Sequence, residues 1–435
     1  MILIKKGLNL PISGHPEPVV SDTPTINKVA IMGNDFVGMK PTMLVKEGEI
    51  VKLGQKIIED KKNPGVFFTS PCGGEVSSIN RGEKRKFLSI EIDIASDEEF
   101  VEFDLDQDPL NLLIESGLFN SFRTRPFNRT PKINDRPDKI FINACDTNPL
   151  SISPDHVITL HKQDFNAGVE FISNLFDSDT NLAYQDDDLS YSFNNVESQQ
   201  FTGPHPAGLS STHINSIYPV SINRTVWTIN YQEVISIGYL LNNGKLRTHK
   251  HISLAGESVF KPSIVSARIG ASLDQLTAGK VKTSSRIISG SVLFGHESVD
   301  VMSYLGFYDN QVSPIPNNPD DIFLNWIMPG KNLHSKLNVF ASAFKKPEKF
   351  SFNTSINGGN RAIVPVGSYE EIIPLDILMT QLLKALVVGD IEVAIDLGML
   401  ELTAEDLALA TYVCPSKYDY CSILMDNLNK VYEEL

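Results

Sequence analysis

Two thiols, Cys414 and Cys421, frame the stretch CPSKYDYC near the carboxyl end of this 435-residue chain. A [4Fe–4S] cluster needs four thiolates in one place, typically three at C-x-x-C-x-x-C spacing. Here six residues separate the pair, and the other two cysteines, Cys72 and Cys145, fall in distant segments. Neither a cluster nor a four-ligand zinc site follows from that spacing, so buried structural thiols are expected and no metal ligands are assigned. The segment GPHPAGLSSTHI sets His205 and His213 beside Ser210, Ser211 and Thr212 in a Gly/Pro loop. Neutral donors of this kind suit the two carbonyls of a quinone headgroup, and a histidine can supply a proton during reduction. The alternative is that the loop merely closes over a sheet, with the histidines capping backbone groups. No G-x-S-x-G is present, so no serine hydrolase constellation is assigned and no catalytic residue is named.

A third candidate is ESGLFNSFRTRPFNR, residues 115–129. A mononucleotide phosphate is held by backbone N–H groups of a glycine-rich loop at a helix start. This segment keeps Gly117 alone and fills the remainder with Phe119, Phe122, Arg123 and Arg125. With no G-x-G-x-x-G elsewhere, bound flavin or NADH is not expected. Arg123, Arg125 and Arg129 remain candidates for an anion or a partner's carboxylate, the alternative being local salt bridges. Arg123 and Arg125 join His205 and His213 as quinone-site candidates.

The fourth candidate is a lysine. GQKIIEDKKNPGVFFTSPCGGEV, residues 54–76, resembles half of a lipoyl or biotinyl carrier domain, in which an exposed lysine at a hairpin apex bears the passenger group. Here Pro64 fixes φ and Gly65 supplies a positive φ, so the apex falls past Lys61 and Lys62. The expectation is a barrel retained as a docking or spacing module, with modification of Lys61 as the alternative.

Elements to position these groups can be read along the chain. From 29 to about 94, short alternating runs punctuated by Gly and Pro indicate a barrel-sandwich hybrid, so 1–100 is taken as an N-terminal segment plus that domain. The amino-terminal MILIKKGLNLPISG could pack along the chain's own body or reach toward a partner. Residues 101–250 alternate strand and helix, predicting an α/β, Rossmann-like domain with a mainly parallel sheet. PLNLLIESGLF is a helix ending at Gly117, HVITL a strand before an amphipathic helix, and TVWTINYQEVISIGYLL strand then helix. Residues 251–330 predict a β-grasp-like unit whose one helix starts at Ser272 in a capping box with Gln275. A β and loop-rich stretch, 331–375, follows. Residues 376–435 read as helical, with Asp376, Asp390 and Thr403 as caps and a last helix from about 417 carrying Ile423, Leu424, Leu428 and Val431 on one face.

Bulk properties narrow the partners. A formal charge of −15 opposes binding to nucleic acid or an anionic lipid surface. No signal peptide or run of about 18 apolar residues is seen, and few scattered cysteines suit a reducing compartment. The chain is expected to be cytosolic, reaching a membrane only through a partner.

Several longer strings stand in order across nearly the whole chain: IIEDKKNPG, SGLFNSFRTRPF, ACDTNPL, FTGPHPAGLSSTHI, NRTVWTINYQEVISIG, GASLDQLTAG, RIISGSVLFG and LDILMTQLLKALVVGD. Through them the chain closely resembles the family of A subunits of the bacterial Na+-translocating NADH:quinone reductase. That family is similar in turn to the flavin-bearing subunit of respiratory complex I. The resemblance implies a peripheral subunit on the cytoplasmic side of the bacterial inner membrane, within a complex that passes electrons from NADH to ubiquinone and exports Na+. It implies that flavins and iron–sulfur centres sit on other subunits and that the integral membrane B subunit is the main contact. It also implies an SLBB-type third domain and a helical domain of degenerate iron–sulfur type. The alternative to this cofactor-free subunit is a stand-alone soluble oxidoreductase whose α/β domain binds flavin by a route without glycines.

Overall fold

The computed structural model describes residues 1–185, 191–317, 327–344, 348–356 and 358–434. The first two strands do not join the domain that follows them. β1 (Ile2–Leu3) adds in parallel to the edge of the α/β sheet, with Ile2 opposite Phe201. β2 (Glu17–Ser21) adds in parallel to the sheet of the third domain. The amino-terminal segment thus runs along the chain's own body, its course tied by the Leu8 amide donating to the His205 carbonyl at 2.8 Å.

β3 (Lys28–Met32), β4 (Pro41–Met43), β5 (Ile50–Val51), β6 (Lys56–Asp60), β7 (Phe67–Thr69), β8 (Gly74–Arg81) and β9 (Phe87–Ile94) form the barrel-sandwich hybrid. They make two sheets, ordered β3-β9-β8-β5 and β4-β6-β7. Alternating residues fill the space between them, among them Val29, Ile57, Phe68, Val76, Ile90 and Ile92, all nearly or wholly buried. The β6–β7 hairpin is docked rather than free. The Asn63 amide donates to the Pro131 carbonyl at 2.7 Å, and Asp60 Oδ1 accepts the amides of Lys40 and Lys62 at 3.0 Å each.

The α/β domain begins with α1 (Pro109–Ser116), capped by Asp108 and ended by Gly117 in the left-handed region. β10 (Arg123–Arg125), β11 (Lys139–Ala144), β12 (Asp179–Tyr184), β13 (Val196–Thr202) and β14 (Val226–Asn230) follow. The sheet order is β1-β13-β12-β11-β14-β10, parallel throughout except for β10 against β14. The expected strand HVITL is instead part of α2 (Pro154–Leu160). Its β-branched residues read as a strand, but Pro154 at the first helical position has its φ preset for a helix and lacks an N–H the helix would leave unused. Val157 and Ile158 then face the core. α3 (Lys162–Ser173) and α5 (Tyr231–Asn243) cross closely because Gly168 and Gly238 meet backbone, while α4 (Ser210–Ile217) lies between β13 and β14. A Cβ on Gly238 would come within 1.7 Å of the Asp164 carbonyl oxygen.

In the third domain β15 (His249–Leu254) pairs antiparallel with β16 (Ser263–Arg268), flanked by β2 and short strands at Gln311–Val312, Ile288–Ser289 and His296–Glu297. Its helix α6 (Leu273–Thr277) does follow Ser272, but the capping box is absent: Gln275 Oε1 instead accepts the Asn27 amide at 2.8 Å. Residues 318–326 of the expected unit lie outside the described residues. From 331 to 375 the described residues hold no strand beyond a single bridge, Ile12 to Phe350, and end in α7 (Ser368–Ile372). Val339, Ile356 and Val364 there are exposed and spaced too irregularly to give a sheet an apolar face.

α8 (Met379–Val388), α9 (Ile391–Asp396), α10 (Ala408–Val413) and α11 (Tyr420–Glu434) make the carboxyl-terminal domain around Leu382, Leu386, Leu424 and Leu428. Asp390 caps α9, and Thr403 forms a capping box with Asp406. Asp376 caps nothing. Glu370 takes that role for α8 across space, accepting the Thr380 amide at 3.0 Å and its hydroxyl at 2.5 Å. Among the described residues no helix is long and apolar enough to cross a membrane.

Candidate functional site at the carboxyl ends of the parallel strands

Chain order in the parallel sheet reverses between β11 and β14. In an open α/β sheet the crevice outside the strand carboxyl ends at such a point is the usual ligand position. A cavity of about 120 Å³ lies there, lined by the ends of β11 and β14 (Asn143, Asn230), by Asp146, His205 and Arg123, and by Glu405 of the helical domain. The third domain closes it through Gln311, which donates to the Pro149 carbonyl at 3.0 Å, and through Asn310, which donates to Asn230 at 3.2 Å. Three domains therefore have to be assembled before the cavity exists.

The lining is polar and mostly uncharged. His205 is 2% exposed, and burial holds its pKa down at about 4, so the ring is neutral at pH 7. Its Nδ1 lies 3.2 Å from the Thr147 hydroxyl, which accepts the Gly208 amide at 2.9 Å. Gly208 is required by close approach, since a Cβ would sit 2.6 Å from the Thr147 nitrogen. Asp146 follows β11, and burial raises its pKa to about 6 despite hydrogen bonds from Asn148. Arg123 stacks its guanidinium 4.5 Å from the Tyr308 ring centroid and has no ion pair among the described residues. Together these groups can hold the edge of a small ring through neutral hydrogen bonds, with Arg123 as the one cation and Asp309 and Glu405 as further carboxylates in the lining.

The four quinone-site candidates, His205, His213, Arg123 and Arg125, thus divide. His205 and Arg123 meet at the cavity. His213 does not, and it lies on α4 rather than in a loop. Its Nε2 donates to the Ala207 carbonyl at 2.9 Å, and its ring centroid is 4.2 Å from that of Phe201. Arg125 is 1% exposed and committed internally, to Asn128 at 2.5 Å and Glu405 at 3.4 Å. Burial lowers its pKa to about 10, leaving it a cation. Phe119 and Phe122 are buried too, but they pack edge-on and tilted against Trp227 in the core instead of crossing the cavity. What limits a flavin at the crevice is its size: about 120 Å³ falls below the roughly 300–1,000 Å³ of ordinary cofactor and ligand pockets.

The other candidates are placed as follows. Cys414 is buried with the Tyr369 and Tyr420 hydroxyls at 3.2 and 3.3 Å; Cys421 is half-buried, and Cys72 and Cys145 are buried elsewhere. Among the described residues no group of three His, Cys, Asp or Glu side chains could hold a metal ion. Lys61 is exposed on the docked hairpin. Arg129 stacks 3.9 Å from the Tyr432 ring centroid and donates to Asn429 at 2.6 Å. Sequence reasoning missed Asp146, Asn143 and Asn230. A polar cluster directly after a buried strand was the available signal, because strand carboxyl ends feed the crevice.

Comparison with known proteins decides the family. Three family models match in order: the NqrA N-terminal barrel-sandwich hybrid domain over 2–95, the NqrA second alpha/beta domain over 106–246, and the NQRA C-terminal domain over 251–299. The A subunit of the Na(+)-translocating NADH-quinone reductase of Haemophilus influenzae is 46% identical over 453 residues, covering 100% of both chains. The chain belongs to the family of Na+-translocating NADH:quinone reductase A subunits. The corresponding proteins of Rhodopirellula baltica and Neisseria meningitidis are 46% and 45% identical, over 99% and 100% of this chain and 98% and 100% of theirs. In family terms, the barrel-sandwich hybrid, the α/β domain and the first part of the third domain described above coincide with the three matched segments.

Proposed function

We propose that the chain acts as a non-catalytic, peripheral subunit of a complex that passes electrons from NADH to quinone and exports Na+. It docks on the cytoplasmic face of the inner membrane through an integral membrane partner, and holds no redox group of its own. The observation that carries this reading is the match to A subunits over the full length of both chains. The test is mild detergent extraction of the tagged chain from native membranes. Recovery with an integral membrane partner, the flavin travelling with other subunits, is expected. Recovery alone as a yellow protein with stoichiometric flavin would sink the reading.

Within that function, the junction cavity is the proposed contact for a quinone headgroup. A benzene-sized ring needs a cavity of roughly 150 Å³, so the volume of about 120 Å³ here would admit one carbonyl edge of a headgroup, with neutral His205 and Arg123 facing that oxygen. Binding of a short-chain ubiquinone is expected to weaken at least fivefold in His205→Asn and in Arg123→Gln. His213→Asn should stay within twofold of the unaltered chain. Equal effects at all three positions would argue against the cavity.

A further inference from the structure

The chain carries a large negative charge, yet one groove on it is strongly basic. The groove measures about 1,000 Å³ and runs between the barrel and α11. Seven cationic residues line it against three carboxylates, Asp35, Asp309 and Asp426. Six of the seven belong to the barrel: Lys40, Lys62, Arg81, Lys84, Arg85 and Lys86, all exposed. None of these six makes a side-chain hydrogen bond or an ion pair among the described residues. Like charges gathered without partners repel one another and favour an anion that joins them.

The backbone beneath two of them is independently unusual. The β8–β9 hairpin turns on Lys84 (φ 52°, ψ 26°) and Arg85 (φ 62°), with the Lys86 amide donating to the Glu83 carbonyl at 3.0 Å. Two successive residues at positive φ make a turn for which Asn-Gly is the favoured pair. Here two cations hold a conformation that asparagine and glycine adopt at lower cost. Strain kept at an exposed site points to use of the side chains that cause it.

The shape selects the ligand. A flat bilayer would reach only the rim of a groove with two walls. A small phosphate compound would leave unused the apolar residues between the walls, Val37, Met39, Phe294 and Met425, of which Phe294 is 47% exposed. We infer that the groove receives an extended segment of a partner protein in which acidic and apolar residues alternate, the carboxylates lying on the hairpin tip and the apolar side chains on the floor. This rests on the reading of the chain as part of a docked complex, and it names the chemistry of one contact.

The test uses the full chain and a fluorescein-labelled peptide of alternating Glu and Leu, read by anisotropy, beside a Ser/Leu peptide of the same length. The acidic peptide should bind at least tenfold tighter than the neutral one, and lose at least tenfold between 50 and 300 mM salt. Lys84→Glu/Arg85→Glu should weaken it at least tenfold, and the milder Lys84→Gln/Arg85→Gln about threefold. Lys5→Glu/Lys6→Glu, an equal charge change at another exposed site, should stay within twofold. Equal binding of both peptides, or equal loss at both sites, overturns the inference. So do phosphatidylglycerol vesicles that bind through the hairpin and displace the peptide, since they would assign the basic residues to a lipid surface. Co-purification of the unaltered chain with a membrane partner tests the proposed function separately. If that succeeds while the charge-reversed chain keeps its peptide affinity, the groove alone is refuted.

Discussion

Two sets of cations in this molecule have opposite circumstances. Lys250 is 3% exposed on β15, and its ammonium donates to the carbonyls of Phe307 at 2.8 Å and Gly306 at 3.3 Å. Around it stand Glu233, Asp309 and Asp35, whose charges favour the ammonium that burial disfavours. Arg268 likewise grips Glu98 through two hydrogen bonds, at 2.9 and 2.6 Å. The hairpin tip has cations of the same kinds without internal partners. Burial explains the contrast: a charge removed from water must be matched on the spot, whereas an exposed one is solvated and can wait for an external anion. The buried set therefore holds domains together, and the exposed set is where binding should be sought.

The sharpest break of this contrast is removal of a buried cation. Lys250→Met leaves Asp35 and Glu233 without its ammonium in the lining of a largely apolar cavity between the barrel, the α/β domain and the third domain. Breaking a buried charge set costs about 3–5 kcal/mol, read as a lower urea midpoint. A loss under about 1 kcal/mol would show that the carboxyls are matched without Lys250. The same treatment of Lys84 should move the midpoint by less than about 0.5 kcal/mol, the usual range for a surface change.

A smaller effect comes from the carboxyls themselves. Burial raises the pKa of Asp35 and of Glu233 to about 7, with neighbouring cations only partly opposing it. Each carboxyl has an unfolded pKa near 4, so between about pH 4 and 7 the folded chain binds more protons than the unfolded one. Their contribution is then most favourable at or below pH 4, falls as pH rises toward 7, and stays low above it. Glu233→Gln removes one of the two. It should flatten the stability profile from pH 5 to 8 and raise stability at pH 8 by about 1–3 kcal/mol. A variant less stable than the parent at pH 8 would mean that the ionised carboxylate is held by Lys250 more tightly than burial opposes it.

This contrast was only half legible in the sequence. The barrel, the parallel sheet and the terminal helices follow from local periodicity, because β11, β14, α5 and α11 each present an apolar face that a short window reveals. The run KRK at 84–86 is equally visible as charge. What a window does not contain is the meeting of Asp35, Glu233, Lys250 and Asp309, which come from the barrel, α5, β15 and the third domain's edge. The same holds for the split between His205 and His213. Both stand in one polar run, but α4 turns His213 toward Phe201 and leaves His205 at the crevice. HVITL shows the reverse failure, local β propensity yielding to a proline at a helix start. Composition spoke only to nucleic acid and anionic lipid, and its total of −15 averages the basic hairpin over the whole chain.

The smallest effect tests why the hairpin keeps its cations. Replacing Lys84 and Arg85 with Asn and Gly puts the favoured pair of a two-residue turn on the same backbone, in a place with no internal contact to lose. Left-handed geometry costs an ordinary residue about 1–2 kcal/mol relative to glycine, and part of that gain is returned because glycine is freer in the unfolded chain. The double variant should therefore be more stable by about 1 kcal/mol in urea unfolding while binding the acidic peptide about threefold more weakly, as expected for loss of the same two charges in Lys84→Gln/Arg85→Gln. Opposite signs for stability and binding would identify the turn as one where function is held against folding preference. If the variant gained no stability, the turn would not be strained, and the basic tip would have to be argued from its charge alone.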